Sequence, residues 1–600
     1  MRALTILGSR PEQSIIKSFW NHVPMLDEPR RLLLFQVLLL LSLFSLGIFF
    51  FFDLSNQLVL WFSVAVSSMS VGMILARQGH ERTRMFALLL FASMYHVAPL
   101  LRAREGGIPY RVIYSTDEAY QEQLNSLVFE NGVWQPGIGT GLAFSYSFYP
   151  IIAILSVIAT NVIGQNPSLS HFVNIAFPTA TAILPLIFYV GSMKTFTGRT
   201  DWALWSGYIF SLNEQFMLFD STFSYESVGI VFFTLILYLV ARRPSGAGKL
   251  ALIPMLVALT LSHFWTNLNL VLFLTIFYML PRVISCLSRR VRSLTPSSDH
   301  RVFEPSLSLT LAALSLLAVY TTLVATISAA KYALLIPLML ASETRLAPKT
   351  TFRSDPEILL IILGQIVLVA FGSLGFFARK KGPSPFLKLV FLLGGIYLVI
   401  MLFGLPSSFA RPILHRAFVF SFFVIAPLVA WTVHSSTTAY TRQIKALLLV
   451  FTMLSVVLMQ DPWFRYPDFM APDSQIYAGR WARYNLGFGS VFVSMRSVSH
   501  TFGAYGRMSD LDLEPFYVNR TLIETGILEG NIFNLLIRYD GHYMVISSST
   551  NDWLLRYFIE RYSLKPGGKY VEAALHYYSS DAHFNRILNS GYISSYCVTC

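Results

Sequence analysis

Residues 141–163 read GLAFSYSFYPIIAILSVIATNVI. About 20 apolar residues suffice to cross a bilayer, and this run has the length. It also holds Pro150 and the polar pair Thr160-Asn161. Whether it crosses decides the sidedness of everything after it. Thirteen other apolar runs predict crossings near 32–52, 57–76, 85–101, 169–192, 202–219, 223–241, 249–263, 265–281, 307–330, 357–378, 387–405, 413–434 and 444–460. With a cytoplasmic N-terminus and 141–163 held on the outer side, the inner loops carry 24 Lys and Arg, the outer loops 9. If 141–163 crossed, Lys194, Arg199 and every later basic loop would fall outside, against the positive-inside tendency. The run is therefore read as a re-entrant or interfacial helix within a long outer loop, 102–168. Irregular backbone at that depth is tolerated where it borders a protein cavity.

The composition supports this reading. Apolar residues make up 54% and charged residues 13%, where a soluble domain carries about 25% charged residues. Disorder, coiled coil and fibrous repeats are excluded. The net charge of +13 sits in short loops between apolar runs, so it marks membrane sidedness and predicts no nucleic-acid partner. The first apolar run starts only after Arg30-Arg31, which argues against a cleaved signal peptide. An odd number of crossings sends residues 465–600 outside. Pro462, Pro467 and Pro472 surround the start of this tail, strand-like runs lie at 490–494 and 542–547, and helix-like runs at 473–484 and 551–562. A small α/β domain is expected there. Asn519-Arg520-Thr521 is a glycosylation sequon on that side. Of three cysteines, Cys597 and Cys600 close the chain as a pair suited to a disulfide or to half a metal site, too few for zinc alone. No Walker loop, dinucleotide fingerprint or zinc-protease motif occurs, which argues against an ATP-driven pump, a nucleotide-sugar enzyme and a zinc protease.

Acidic residues are rare before 464, so their positions carry information. The outer loop holds Thr116-Asp117-Glu118-Ala119-Tyr120, then Glu130-Asn131-Gly132-Val133-Trp134-Gln135-Pro136. Ser115 or Thr116 suits an N-cap, and carboxylates in a first helical turn are favoured by the helix dipole. Capping charges on a solvated loop would explain the pair equally well. Arg411-Pro412-Ile413-Leu414-His415-Arg416 stands at the outer start of a crossing. Cations in such positions are expensive and tend to be functional, and the Arg fork suits phosphate. Arg411 and Arg416, with His415 beside them, are therefore candidate lipid-phosphate binders. Lys331, Arg345, Lys349 and Arg353 fill another outer loop and suit phosphate in the same way. Ser262-His263, with Asn267 and Asn269, forms a polar break at an outer turn, where a lone histidine is expected to be a hydrogen-bonded structural residue.

The segment TDEAY…ENGVWQP, the aromatic stretch Tyr146–Pro150 after it, the basic turn 191–201 and the acidic turn Asp220–Glu226 together resemble the GT-C superfamily. These are membrane glycosyltransferases that use polyprenyl-phosphate sugars. The likeness covers residues 85–245 best, and the chain looks most like archaeal members with an outer C-terminal domain. A juxtamembrane helix in the first outer loop is a feature of the family. The resemblance implies that Asp117, with Glu118 as neighbour, acts at the catalytic centre as general base or metal ligand. It also implies a second acidic site at Asp220 and Glu226. Asp117 and Glu226 would then be the ligands of a divalent cation, Mg or Mn. The outer turn departs from the commoner Arg-x-x-x-Pro-Asp form, which leaves the metal open.

The expectation is thus an all-α polytopic membrane protein of GT-C type in residues 1–464, with about 13 transmembrane helices, and an extracytoplasmic α/β domain in 465–600. It would lie in the plasma membrane with its N-terminus cytoplasmic. As an inverting enzyme it would pass a sugar from a polyprenyl-phosphate donor to a glycan, protein or lipid acceptor on the outer face. A transporter or flippase of lipid-linked glycans is the alternative. No internal repeat supports it, and the charges cluster at the outer mouth rather than at the midplane.

Overall fold

The computed structural model describes residues 57–75, 80–102, 104–105, 108–109, 116–138, 146–164, 171–213, 225–242, 247–290, 305–326, 410–435, 491–494, 509–510, 543–547, 584–589 and 593–598, with short pieces at 36–37, 40–41, 216, 393–394, 479, 481–482 and 484–485. Along parts of these elements, among them 116–120 and 410–418, the description is of the backbone. The expected crossings at 32–52, 357–378, 387–405 and 444–460 lie outside the described residues, apart from the pieces at 36–41 and 393–394.

The described part is mostly helical. In chain order it comprises α1 (Gln57–Leu75), α2 (Glu81–Arg102), β1 (Arg104–Glu105), β2 (Ile108–Pro109), α3 (Thr116–Asn131), α4 (Ile151–Ile163), α5 (His171–Thr197), α6 (Thr200–Ser211), α7 (Tyr225–Ala241), α8 (Ala247–Thr260), α9 (Phe264–Arg290), α10 (Leu307–Leu323), α11 (Ala410–Ser435), β3 (Val491–Ser494), β4 (Ser509–Asp510), β5 (Tyr543–Ser547), β6 (Phe584–Asn589) and β7 (Ile593–Val598). The chain divides into two compact units, Met1–Ala87 and Leu88–Cys600.

In the first unit, α1 admits serines into an apolar helix by turning their hydroxyls inward. Ser67 Oγ donates to Ser63 O and Ser70 Oγ to Val66 O, each at 2.7 Å, so these two hydroxyls are satisfied within the helix itself. The buried Arg84 donates from Nη2 to Leu75 O at 2.9 Å. It thereby satisfies one of the carbonyls that a helix C-terminus leaves bare.

In the second unit, α5 lies between α6 and α7. Two glycines allow the close approach. A Cβ on Gly207 would come within 2.4 Å of Val190 Cγ2, and one on Gly191 within 2.6 Å of the Tyr238 ring. Gly198 (φ +66°) makes the α5–α6 turn; Thr197 Oγ1 accepts from Arg199 N at 3.2 Å. Helix α6 packs antiparallel on α11, with Trp202 against Trp431 at 4.7 Å and Phe210 against Phe423 at 4.5 Å. Pro427 lies inside α11 and removes the N–H that would bond Phe423 O. Tyr189 of α5 supplies the donor instead, its hydroxyl reaching Phe423 O at 3.0 Å. Trp202 Nε1 donates to Pro427 O at 2.7 Å. Phe233 of α7 touches Phe420 and Phe423 of α11 at 5.1 and 5.0 Å, and Phe273 of α9 at 5.4 Å.

These contacts fix helix directions. The end at which α7 begins is called the upper end. Helices α5, α9 and α11 also begin there, while α6, α8 and α10 finish there. Helix α6 stops at Ser211, short of the expected 219. Asn213 Oδ1 accepts from Phe216 N at 2.8 Å, an alternative to continuing the helix. Helix α4 has 13 residues, about 20 Å at 1.5 Å per residue. It begins at Pro150, where Ile151 N bonds Leu261 O at 3.4 Å, and ends at Gly164 in the left-handed region (φ 73°).

Among the described residues, one stretch, Thr179–Thr197, is by itself long and apolar enough to cross a membrane. Tyr225–Ala241, Gly248–Thr260, Phe264–Met279, Leu307–Leu323 and Val419–Thr432 are apolar but shorter. Several helices carry apolar side chains outward as well as inward, among them Leu250 and Ile253 of α8 and Leu311 and Leu314 of α10.

The C-terminal strands form one mixed sheet in the order β4-β3-β5-β7-β6. Pairs β3–β4 and β3–β5 are parallel; β5–β7 and β6–β7 are antiparallel, with an irregularity between Arg586 and Leu588. Strands β3 and β5 fall within the runs 490–494 and 542–547. The helix-like run 551–562, most of 473–484, the Asn519 sequon and Cys600 lie outside the described residues.

Candidate functional site

The upper end gathers buried polar side chains that its apolar surroundings do not explain. Glu226 is the second residue of α7, where the helix dipole favours a carboxylate, and it is 3% exposed. A carboxylate that deep needs a partner. His263 supplies one: its Nε2 lies 3.5 Å from Glu226 Oε1. The histidine ends the tight turn after α8, in which Ser262 Oγ donates to Ala258 O at 2.5 Å. Its Nδ1 lies 2.7 Å from Thr266 Oγ1. Both ring nitrogens are thus engaged, and the pair can hold a proton at either partner. Beneath them Asn267 Nδ2 donates to Thr260 Oγ1 at 2.9 Å.

Gly229, one turn after Glu226, makes the pairing possible. A Cβ there would meet Thr266 Oγ1 at 3.0 Å and His263 Cβ at 3.2 Å. The bare face of α7 lets the α8–α9 turn close onto it.

An aromatic wall continues from this pair into the first loop. The Tyr225 ring lies edge-on to His263 at 4.7 Å, and Tyr146 contacts Tyr225 at 4.7 Å. Tyr146, Tyr225 and Val228 share one apolar cluster with Leu124 and Val128 of α3 and Ile152 and Ala153 of α4, and Trp134 packs against it. Trp134 Nε1 donates to Ser147 O at 2.6 Å, and Gly137 N to Ser147 Oγ at 2.7 Å. The turn 146–150 is also held from α10, whose Tyr320 hydroxyl donates to Phe148 O. Tyr320 and Val324 pack with Phe148 and Tyr149.

Of the residues expected from sequence, Glu226 is in this site. Asp117 and Glu118 stand in the first turn of α3, and their side chains lie outside the described part. By helical spacing Asp117 shares a face with Gln121, Leu124 and Val128, all three buried. Asp220 lies outside the described residues. The side chains of Arg411, His415 and Arg416 do as well, but their backbone belongs to the first turns of α11. Helices α7 and α11 run in the same direction and meet where Phe233 touches Phe420. Counting about 1.5 Å of rise per residue from that contact, Glu226 is about 10 Å toward the upper end, Arg416 about 6 Å and Arg411 about 13 Å. The two arginines bracket the level of Glu226.

The sequence reading missed two features. His263 was expected to be structural, and its pairing with a carboxylate 37 positions earlier is visible only once both are seen at starts of helices that open at the same end. His96 of α2 was not singled out. It is fully buried, bonds Ser211 O through Nε2 at 3.0 Å and contacts the Phe216 ring at 4.8 Å. Among the described residues no three His, Cys, Asp or Glu side chains converge as a cation site requires. Glu226 and His263 provide two donors.

No protein-family model matches this sequence, and no curated protein matches it. Solved structures do. The oligosaccharyltransferase of Archaeoglobus fulgidus in complex with Zn and sulfate aligns over 77% of this chain and 68% of its own, at 12% identity and a TM-score of 0.49. The archaeal oligosaccharyltransferase AglB from Archaeoglobus fulgidus, in complex with an inhibitory peptide and a dolichol-phosphate, covers 78% of this chain and 69% of its own, at 11% identity and a TM-score of 0.44. ArnT from Cupriavidus metallidurans, bound to undecaprenyl phosphate, covers 86% of this chain and 97% of its own, at 11% identity and a TM-score of 0.37.

Proposed function

We propose that this chain is an integral membrane glycosyltransferase of GT-C type. It takes a sugar from a polyprenyl-phosphate donor and passes it, with inversion, to a glycan, protein or lipid acceptor on the extracytoplasmic face. The observation that carries the reading is the buried Glu226–His263 pair at one end of the bundle, beside the apolar cluster that holds Leu124 and Val128 of α3; the backbone of the first turns of α11 reaches the same level by helical rise. The outward apolar faces of α8 and α10 support membrane embedding.

The chemistry assigns each group a task. An acceptor hydroxyl loses a proton as it attacks the anomeric carbon, and a held carboxylate takes that proton; Asp117 has this role. The transition state is oxocarbenium-like, as in glycoside hydrolysis. The departing lipid phosphate gains charge, which Arg411 and Arg416 offset through paired N–H donors. Glu226 is the second carboxylate of the site. A divalent cation held by Asp117 and Glu226 would supply the same charge stabilisation.

The test is transfer by the purified protein in detergent from radiolabelled polyprenyl-phosphate hexoses, with a host membrane extract as acceptor. Asp117→Asn is expected to lower transfer by about a hundredfold or more with donor binding retained. Equal activity in both proteins would remove Asp117 from the site. Movement of lipid-linked glycan across liposomes without any transfer would replace the enzyme by a flippase. Loss of transfer in EDTA, restored by Mg or Mn, would show that the reaction needs a divalent cation.

A further inference from the structure

We propose that His263 is a positioning residue for the transfer reaction, acting through Glu226; the proposal rests on the glycosyltransferase reading above. The geometry is specific. A lone buried histidine needs only hydrogen-bond partners, and Thr266 Oγ1 at 2.7 Å with any carbonyl would serve. Here the second nitrogen is spent on a carboxylate. Three features hold it there. Thr266 fixes the ring from the Nδ1 side. The Tyr225 edge, 4.7 Å away, fixes its tilt. Gly229 keeps α7 bare where the ring and Thr266 must fit.

The consequence falls on Glu226. Its oxygen Oε1 faces Nε2 at 3.5 Å, a contact that restrains how the carboxylate swings about its side-chain bonds. A carboxylate that serves a reaction must be held to within a fraction of an ångström, and misplacement by about 1 Å costs roughly a hundredfold in rate. His263 itself touches no substrate in this account. The side chains that face the ring are Glu226 and Tyr225 from α7 and Thr266 from α9.

Two conservative replacements separate this role from a purely structural one. Glutamine places an N–H near the position of Nε2 and keeps the contact with Glu226. Asparagine places its amide near Nδ1 and keeps the contact with Thr266. We would measure kcat and donor KM with polyprenyl-phosphate hexose for wild type, His263→Gln, His263→Asn, Glu226→Gln and the pair His263→Asn with Glu226→Gln. The expected result is that His263→Asn lowers kcat roughly ten- to a hundredfold, with donor KM within about twofold. His263→Gln recovers most of that loss. Adding His263→Asn to Glu226→Gln costs nothing further, because the two act as one unit.

Independent, multiplying losses in the double variant would overturn the proposal. So would a His263→Asn protein as active as His263→Gln, since the contact with Thr266 would then suffice. In both cases wild-type transfer stands and the functional reading survives. Absence of transfer by wild type with every donor would remove that reading, and this one with it.

Discussion

Gly229 sets how tightly the site closes. Its hydrogen faces Thr266 and His263 across a gap that a methyl group would overfill. Gly229→Ala should push α7 and the α8–α9 turn apart by a few tenths of an ångström and cost about 1–3 kcal/mol. Thermal unfolding in detergent should show a lower midpoint, and transfer should fall with it. An unchanged midpoint would mean that Thr266 can rotate away freely. The same residue shows what sequence can and cannot carry. Glu226 was legible because charged residues are scarce in this chain and it opens an apolar run. Its partner was not, because nothing along the chain joins positions 226 and 263. The pairing comes from two helices that start side by side.

At the scale of elements, the α5–α6–α11 contact shows how a proline is accommodated. Pro427 leaves Phe423 O without its intrahelical donor, and Tyr189 replaces it from another helix. Tyr189→Phe removes that donor and keeps the ring, which packs on Phe210 at 4.7 Å and Phe423 at 5.1 Å. The expected cost is about 1–3 kcal/mol, read as a lower unfolding midpoint with donor KM unchanged. A midpoint equal to wild type would show that Phe423 O finds another donor. The apolar runs made α5, α7 and α11 readable as helices; Pro427 was not singled out. The repair was not readable, since it depends on a tyrosine 234 positions earlier. Helix α6 ended early for a comparable local reason, the Asn213 side chain competing for backbone.

For the whole molecule, the proposed reaction divides labour between distant parts of the chain. Asp117 lies in the first loop and Arg411 and Arg416 nearly 300 positions later, yet α11 returns its first turns to the level of Glu226. Replacing both arginines by alanine should raise donor KM about tenfold or more, measured beside the unfolding midpoint so that a loss of folding is told apart from a loss of binding. Unchanged KM would move phosphate binding to another basic group, with Lys331, Arg345, Lys349 and Arg353 next in line. Composition and loop charge made a membrane architecture the expectation, and among the described residues Thr179–Thr197 alone is long and apolar enough to cross. Which helices neighbour one another was not legible, because helices of similar apolarity are interchangeable until glycines and aromatic rings choose partners.

The two carbonyl bonds on α11 have a mechanical consequence. Tyr189 and Trp202 grip Phe423 O and Pro427 O, one helical turn apart, from two different helices. A rod held at two points by neighbours on different sides can neither roll nor slip along its length without breaking both grips. Helices α5, α6 and α11 therefore behave as a fixed frame. Any movement during the proposed transfer is expected in elements outside that frame.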